Sequence, residues 1–121
     1  MEHYKLILPE FLNNQGTLFG GHLLMWIDEF AYITAHLEYP GNRFVTVALD
    51  RVVFKHRIAG GQVLRFLVEE SHLGTTSVEY LVKVYGTKVP KDREKVLFET
   101  RITFVNVSET GEKKPIGKSG R

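Results

Sequence analysis

The chain has 121 residues and a formal net charge of +2, from 16 Lys and Arg against 14 Asp and Glu. At this length one domain is expected, burying roughly two thirds of the unfolded surface, and a composition of 43% apolar and 25% charged residues is that of a globular protein and not of a disordered one. The small positive excess does not imply nucleic-acid binding, which usually shows a concentrated basic face, and the lack of cysteine excludes a disulfide framework, a thiol nucleophile and a cysteine-ligated metal.

The opening Met-Glu-His-Tyr-Lys carries no apolar signal region. No run in the chain approaches the roughly 20 apolar residues that span a bilayer. We therefore expect a cytoplasmic protein that partners neither membranes nor nucleic acids. Residues 3–8 predict a short strand, closed by Pro9, and Asn13, Asn14, Gln15 and Gly16 predict a loop. A helix follows over residues 19–38, which contain no proline, with Gly20 and Gly21 at its front and Pro40-Gly41 as its stop. It is apolar on nearly every side, as a buried helix is.

After Pro40 the pattern becomes β-rich, and four strands in hairpin order are predicted at 43–55, 62–73, 76–87 and 95–107. The simplest packing is an α+β domain in which an antiparallel sheet of about five strands wraps one long central helix. A single small sheet cannot cover every side of that helix, so a second copy of the chain is expected to bury the rest: a homodimer at least. Residues 1–107 form this single domain in our reading. Residues 108–121, with three glycines and four Lys or Arg, are expected to be a flexible tail.

Four groups of residues could carry chemistry. Asp28 and Glu29 are the only carboxylates between Gly16 and Leu37; they form either a structural ion pair or exposed patch, or a general base or nucleophile in a pocket. Adjacent helical residues point about 100° apart, so only one of the two should face a given pocket. Asn13 and the Gly20-Gly21 pair bring a side-chain amide and unpaired backbone N–H groups to the helix start, which could be a plain loop-to-helix turn or a cradle for an oxyanion. Gly74-Thr75-Thr76-Ser77 is either an ordinary hairpin opening or a hydroxyl cluster for a substrate. Lys55 and Arg57, with Lys83, Lys88, Lys91 and Arg93 elsewhere, are either solvated charge or phosphate ligands. The five histidines have no spacing typical of a zinc site, and no metal is expected.

In combination, Asn13-x-x-Gly16-x-x-Phe19-Gly20-Gly21, Trp26-Ile27-Asp28-Glu29, Val45-Thr46-Val47-Ala48 and Gly74-Thr75-Thr76-Ser77 make the sequence resemble the hotdog-fold acyl-CoA thioesterases. The branch is that of the bacterial short acyl-CoA hydrolases and the brain-type cytosolic acyl-CoA hydrolases, and the resemblance covers roughly residues 5–107. It implies hydrolysis of acyl-coenzyme A to a free fatty acid and coenzyme A, with no cofactor because coenzyme A is part of the substrate. It implies homodimers that can assemble further into tetramers or hexamers, with the active site between two subunits. Asp28 matches the family's helical aspartate, acting as general base or nucleophile. Asn13, from the partner chain, matches the residue that places carbonyl or water. Gly20 and Gly21 match the turn whose amide polarises the thioester. Thr76 and Ser77 match the strand segment near coenzyme A, with Lys55 and Arg57 as candidate contacts to its nucleotide end.

Two departures stand out. Lys55-His56-Arg57-Ile58 puts arginine where the family commonly has proline, and Gly61-Gln62 stands where Gly-Asp is frequent. Two rival readings exist. A dehydratase on the same fold would need a catalytic histidine paired with a carboxylate, for which His22 and His36 are the helical candidates. A non-catalytic acyl-CoA-binding or sensing module would keep the groove and lose the acid.

Overall fold

A computed structural model describes residues 1–54, 56–87, 90 and 93–117. The elements run β1 (Glu2–Leu6), a short 3-10 turn (Pro9–Phe11), α1 (Gly20–Glu38), β2 (Phe44–Asp50), β3 (Val63–Leu73), β4 (Ser77–Gly86) and β5 (Val96–Asn106). The five strands form one antiparallel sheet in the order β1-β3-β4-β5-β2, with α1 lying across one face. This is the expected α+β arrangement of a long helix and five strands. Alternation fixes the faces: Leu64, Phe66 and Val68, then Val78, Tyr80, Val82 and Val84, then Phe98, Ile102 and Phe104 all point inward and are buried.

The strand order corrects one expectation. Only β3, β4 and β5 follow each other as hairpins, whereas β2 pairs with β5 at the far edge. The cause is α1, which leaves β1 at one edge and crosses the sheet face, so the chain re-enters at the opposite edge. β2 also stops at Asp50 instead of residue 55, because Arg51 adopts a left-handed backbone (φ 55°) that breaks the ladder. β3 then starts at Val63, three strands away from β2 in the sheet. Three strand spacings are only about 14 Å, well within the reach of twelve extended residues.

Within one chain α1 buries a single stripe, Leu23, Trp26, Ile27, Ala31, Thr34 and Ala35. Met25, Tyr32 and Leu37, at 53%, 42% and 59% exposure, stay open, and Val45 and Val47 are open on the other face of β2. One sheet thus covers one helix face, and the apolar remainder borders an unpaired strand edge.

Residues 108–117 are not the free tail expected from composition. Ile116 is buried, and its N–H donates to Thr75 O at 2.9 Å. Asn106 receives Arg43 N–H at 2.7 Å and donates to Pro115 O at 3.0 Å. Asn42 donates to Gly117 O and accepts from Gly117 N–H, both at 2.8 Å. Two buried or half-buried asparagines thus replace the ladder the segment lacks. Residues 118–121 lie outside the described residues.

Below the C-terminal end of α1, the Tyr80 hydroxyl donates to Glu38 Oε1 at 2.9 Å, and the Tyr39 hydroxyl donates to Glu70. Burial first and the Glu38 carboxylate second hold the Tyr80 phenol well above its ordinary range. Burial and Glu70 push Tyr39 up to about 12. Because the folded phenols lose their protons later than unfolded ones near pH 10, the unfolded state sheds protons first as pH rises. Stability is therefore whole below about pH 10 and declines above it. We expect the melting temperature to fall between about pH 9.5 and 11.5, and to fall less in Tyr39→Phe/Tyr80→Phe, as calorimetry at both pH values would show. An unchanged decline in the double variant would remove these tyrosines as its source.

Candidate active site

Asp28 lies in the middle of α1, half-buried, and its Oδ1 accepts a 2.6 Å hydrogen bond from the Thr46 hydroxyl of β2. Thr46 points inward because it shares a row with the buried Phe104 and Val78, so β2 brings it to the helix. The two line a depression of about 520 Å³ with Met25, Glu29, Tyr32 and Phe44. Both adjacent carboxylates therefore face it, where the 100° argument allowed one; the depression is shallow enough to reach around the helix flank. Thr46 occupies one carboxylate oxygen, and among the described residues Oδ2 has no partner. A carboxylate oriented by one oxygen and open at the other can accept a proton from water or attack an electrophile.

The helix start is built from rings packed on glycines. A Cβ on Gly20 would sit 2.8 Å from the Phe54 ring and one on Gly21 2.8 Å from the Phe19 ring, so glycine here serves close aromatic approach. The His22 N–H is taken by Phe19 O at 3.0 Å, while those of Gly20 and Gly21 have no partner among the described residues. Beside them is a cavity of about 310 Å³ lined by Gly20, Leu23, Phe54 and Arg57, among others. Arg57 is steadied there by its hydrogen bond to Gln15 Oε1, at 3.2 Å.

Asn13 turns its side-chain oxygen onto its own loop, accepting from Gln15 N–H at 2.9 Å and from Thr17 N–H at 3.1 Å. Asn13, Gly20, Gly21 and Arg57 thus gather at one end of α1. Asp28 sits seven to eight residues along it, roughly 10–12 Å away at 1.5 Å per residue. A reacting carbonyl needs its nucleophile within about 3–3.5 Å. No single chain can present its own Asp28 and its own helix-start amides to one carbonyl.

Thr76 and Ser77 are more remote. Ser77 opens β4 in a row with Val105 and Val45, on the sheet face away from α1, and Thr76 O accepts the Asn106 N–H at 2.8 Å. Lys55 lies outside the described residues, as do Lys88 and Lys91. His22 is packed among Phe11, Phe19 and Trp26, and His36 stacks on Tyr32; neither has a carboxylate partner among the described residues. No group of three His, Asp or Glu side chains among the described residues is placed to hold a metal ion. No helix among the described residues is long and apolar enough to cross a membrane.

Thr46 enters the sequence reading only within Val45-Thr46-Val47-Ala48, a motif of the resemblance, with no role given to it at the site. Taken from the residues alone, a hydroxyl between two valines is what β-propensity explains.

Set against known proteins, residues 15–91 match the family model of the Thioesterase superfamily. Protein VdlD of Helicobacter pylori is 35% identical over 89 residues, which are 74% of this chain and 50% of that protein. The chain thus spans about half the length of curated relatives that it matches. An acyl-CoA hydrolase of Staphylococcus aureus, solved with butyryl coenzyme A and coenzyme A, superposes with a TM-score of 0.86 at 30% identity, covering 98% of this chain and 71% of that one. Two further structures of that hydrolase are of forms with alanine in place of a threonine and of an aspartate. The hexameric hotdog fold thioesterase Cj0915 of Campylobacter jejuni superposes with a TM-score of 0.81 at 29% identity, covering 95% of this chain and 88% of that one.

Proposed function

The chain belongs to the thioesterase superfamily, and from that membership we propose that it hydrolyses acyl-coenzyme A to a free carboxylic acid and coenzyme A. The observation that carries this reading is Asp28, a carboxylate set in an apolar helix and oriented by the Thr46 hydroxyl at 2.6 Å. In the proposed reaction, Asp28 Oδ2 takes a proton from a water in the depression as the water oxygen attacks the thioester carbonyl. Unpaired N–H groups at a helix start hold the resulting oxyanion. Collapse of the tetrahedral intermediate breaks the C–S bond, and the proton on Asp28 passes to the departing thiolate. Coenzyme A enters as part of the substrate, and the scheme uses no other cofactor.

We place this site between two copies of the chain. The support is the gap of roughly 10–12 Å along α1, together with the exposed Met25 and Tyr32 on the helix flank that faces edge strand β2. In this arrangement Asn13, Gly20 and Gly21 of one copy face Asp28 of the other, and dimers can assemble further, as in the hexameric Cj0915. Ser77, on the outer sheet face, and its neighbour Thr76 contact coenzyme A only where subunits meet there.

The test is thiol release from a panel of acyl-coenzyme A thioesters, acetyl to palmitoyl. We expect turnover on the order of 1–10³ s⁻¹ for the preferred members. A folded, oligomeric protein that binds coenzyme A yet cleaves no member would overturn the reading and leave a binding module in its place.

A further inference from the structure

Glu29 has no part in the proposed reaction, yet it lines the depression that holds Asp28. It joins none of the ion pairs among the described residues. The other described lining residues are Met25, Tyr32, Phe44 and Thr46, so the lining carries two carboxylates and no cation. Neither basic side chain adjoining these residues answers that charge. Arg43, next to Phe44, has its guanidinium 3.9 Å from Glu109, and His36, one turn past Tyr32, stacks on that ring outside the lining.

A thioester carbonyl within reach of a water held by Asp28 brings the first atoms of its acyl group into the same depression, whichever way the rest of the chain runs. A malonyl carboxylate stands only about 2.5 Å beyond its carbonyl carbon, two C–C bonds of ~1.5 Å away, and so cannot be kept clear of both Asp28 and Glu29. At about 6 Å, with an effective dielectric constant of about 20 to 80, each such like-charge contact disfavours the complex by roughly 3- to 100-fold. A hydrocarbon of the same shape meets Met25 and Phe44 instead and is free of this repulsion.

We propose that Glu29 is a charge filter on the acyl group: the protein cleaves thioesters of uncharged acids and rejects the mono-thioesters of dicarboxylic acids. The proposal rests on the thioesterase reading and deepens it by naming the acyl class that the site admits. The adjacent acids then have different tasks. Asp28 is oriented by Thr46 at 2.6 Å to act on water, whereas Glu29 is left open to meet an incoming charge.

The experiment compares kcat/KM for isovaleryl-coenzyme A and malonyl-coenzyme A, whose acyl groups match in shape, an isopropyl group standing where malonyl has its carboxylate. We expect the native protein to favour isovaleryl by about 100-fold, Asp28 and Glu29 each contributing about 10-fold. Glu29→Gln should narrow the ratio about 10-fold and Glu29→Lys further still, while Glu29→Asp should keep it near the native value. Raising the ionic strength from about 0.02 to 0.5 M should narrow the native ratio, and narrow that of Glu29→Gln less, because screening acts on a charge the variant lacks. A native protein that cleaves the acetyl-to-palmitoyl panel without favouring isovaleryl over malonyl overturns the filter and leaves the thioesterase standing. So does a Glu29→Gln variant with an unaltered ratio, including one in which both rates fall alike, which would mark a structural residue. Cleavage of no ester at all overturns both readings.

Discussion

Replacing Asp28 by alanine is expected to lower kcat for acyl-coenzyme A hydrolysis by about three orders of magnitude, with KM changed far less. A positioned base contributes roughly 10²–10⁴-fold, and Asp28 makes no contact that a bound acyl chain would need in the ground state, so its loss falls on the transition state. The folded state should not suffer. Alanine is the best helix former, and the change removes a half-buried charge from an apolar helix. The melting temperature of Asp28→Ala should therefore match or exceed that of the native protein, an exchange of stability for activity common at catalytic positions. Thr46→Ala frees the carboxylate without deleting it, and should cost about tenfold. Steady-state kinetics and calorimetry on the same preparations check both halves. Full activity in Asp28→Ala would remove the residue from the mechanism; a large loss of stability would recast it as structural.

The second large effect is expected from Val47→Asp. β2 pairs on one side only, with β5, and Val47 at its bulge is 55% exposed beside Val45 at 41%. An edge strand with exposed apolar side chains is the surface most in need of a partner. A standard interface buries about 800 Å² on each side, and an unpaired carboxylate at its centre costs several kcal/mol. Sedimentation velocity should show Val47→Asp as a monomer at micromolar concentration, and thiol release should drop at least about 100-fold, because neither copy can complete the site alone. A monomer that stays active would refute the shared site. A variant that stays oligomeric would move the interface elsewhere.

How legible the fold was depends on the range of the interaction. α1 could be read to within a residue, since proline is absent from 19–38 and Pro40-Gly41 ends it, with Gly41 at φ 84°. β3, β4 and β5 were legible because local turns separate them. The place of β2 was not: a strand's own pattern says which residues face inward, never which neighbour it pairs with, and the crossing of α1 decides that. Asp28 stood out as a charge in an apolar run, while Thr46, eighteen residues later, looks like any β-branched strand residue until the sheet sets it 2.6 Å from the carboxylate. Arg65 and Glu94 carry no signal in the sequence, because a pairing across 29 residues leaves no periodic trace. Ile116 is a lone apolar residue in a polar stretch, and its burial depends on Asn42 and Asn106, which composition cannot weigh.

The docking of Gly117 onto Asn42 decides where an added module would go. Asn42 lies four residues past Glu38, the end of α1, and that helix of 19 residues is about 28 Å long. A reporter protein or affinity handle fused after residue 117 would thus emerge from the end of the domain remote from Gly20 and Arg57. Such a fusion should leave the helix start unobstructed, whereas one at the β1 end would start beside Glu2, a ligand of Arg65.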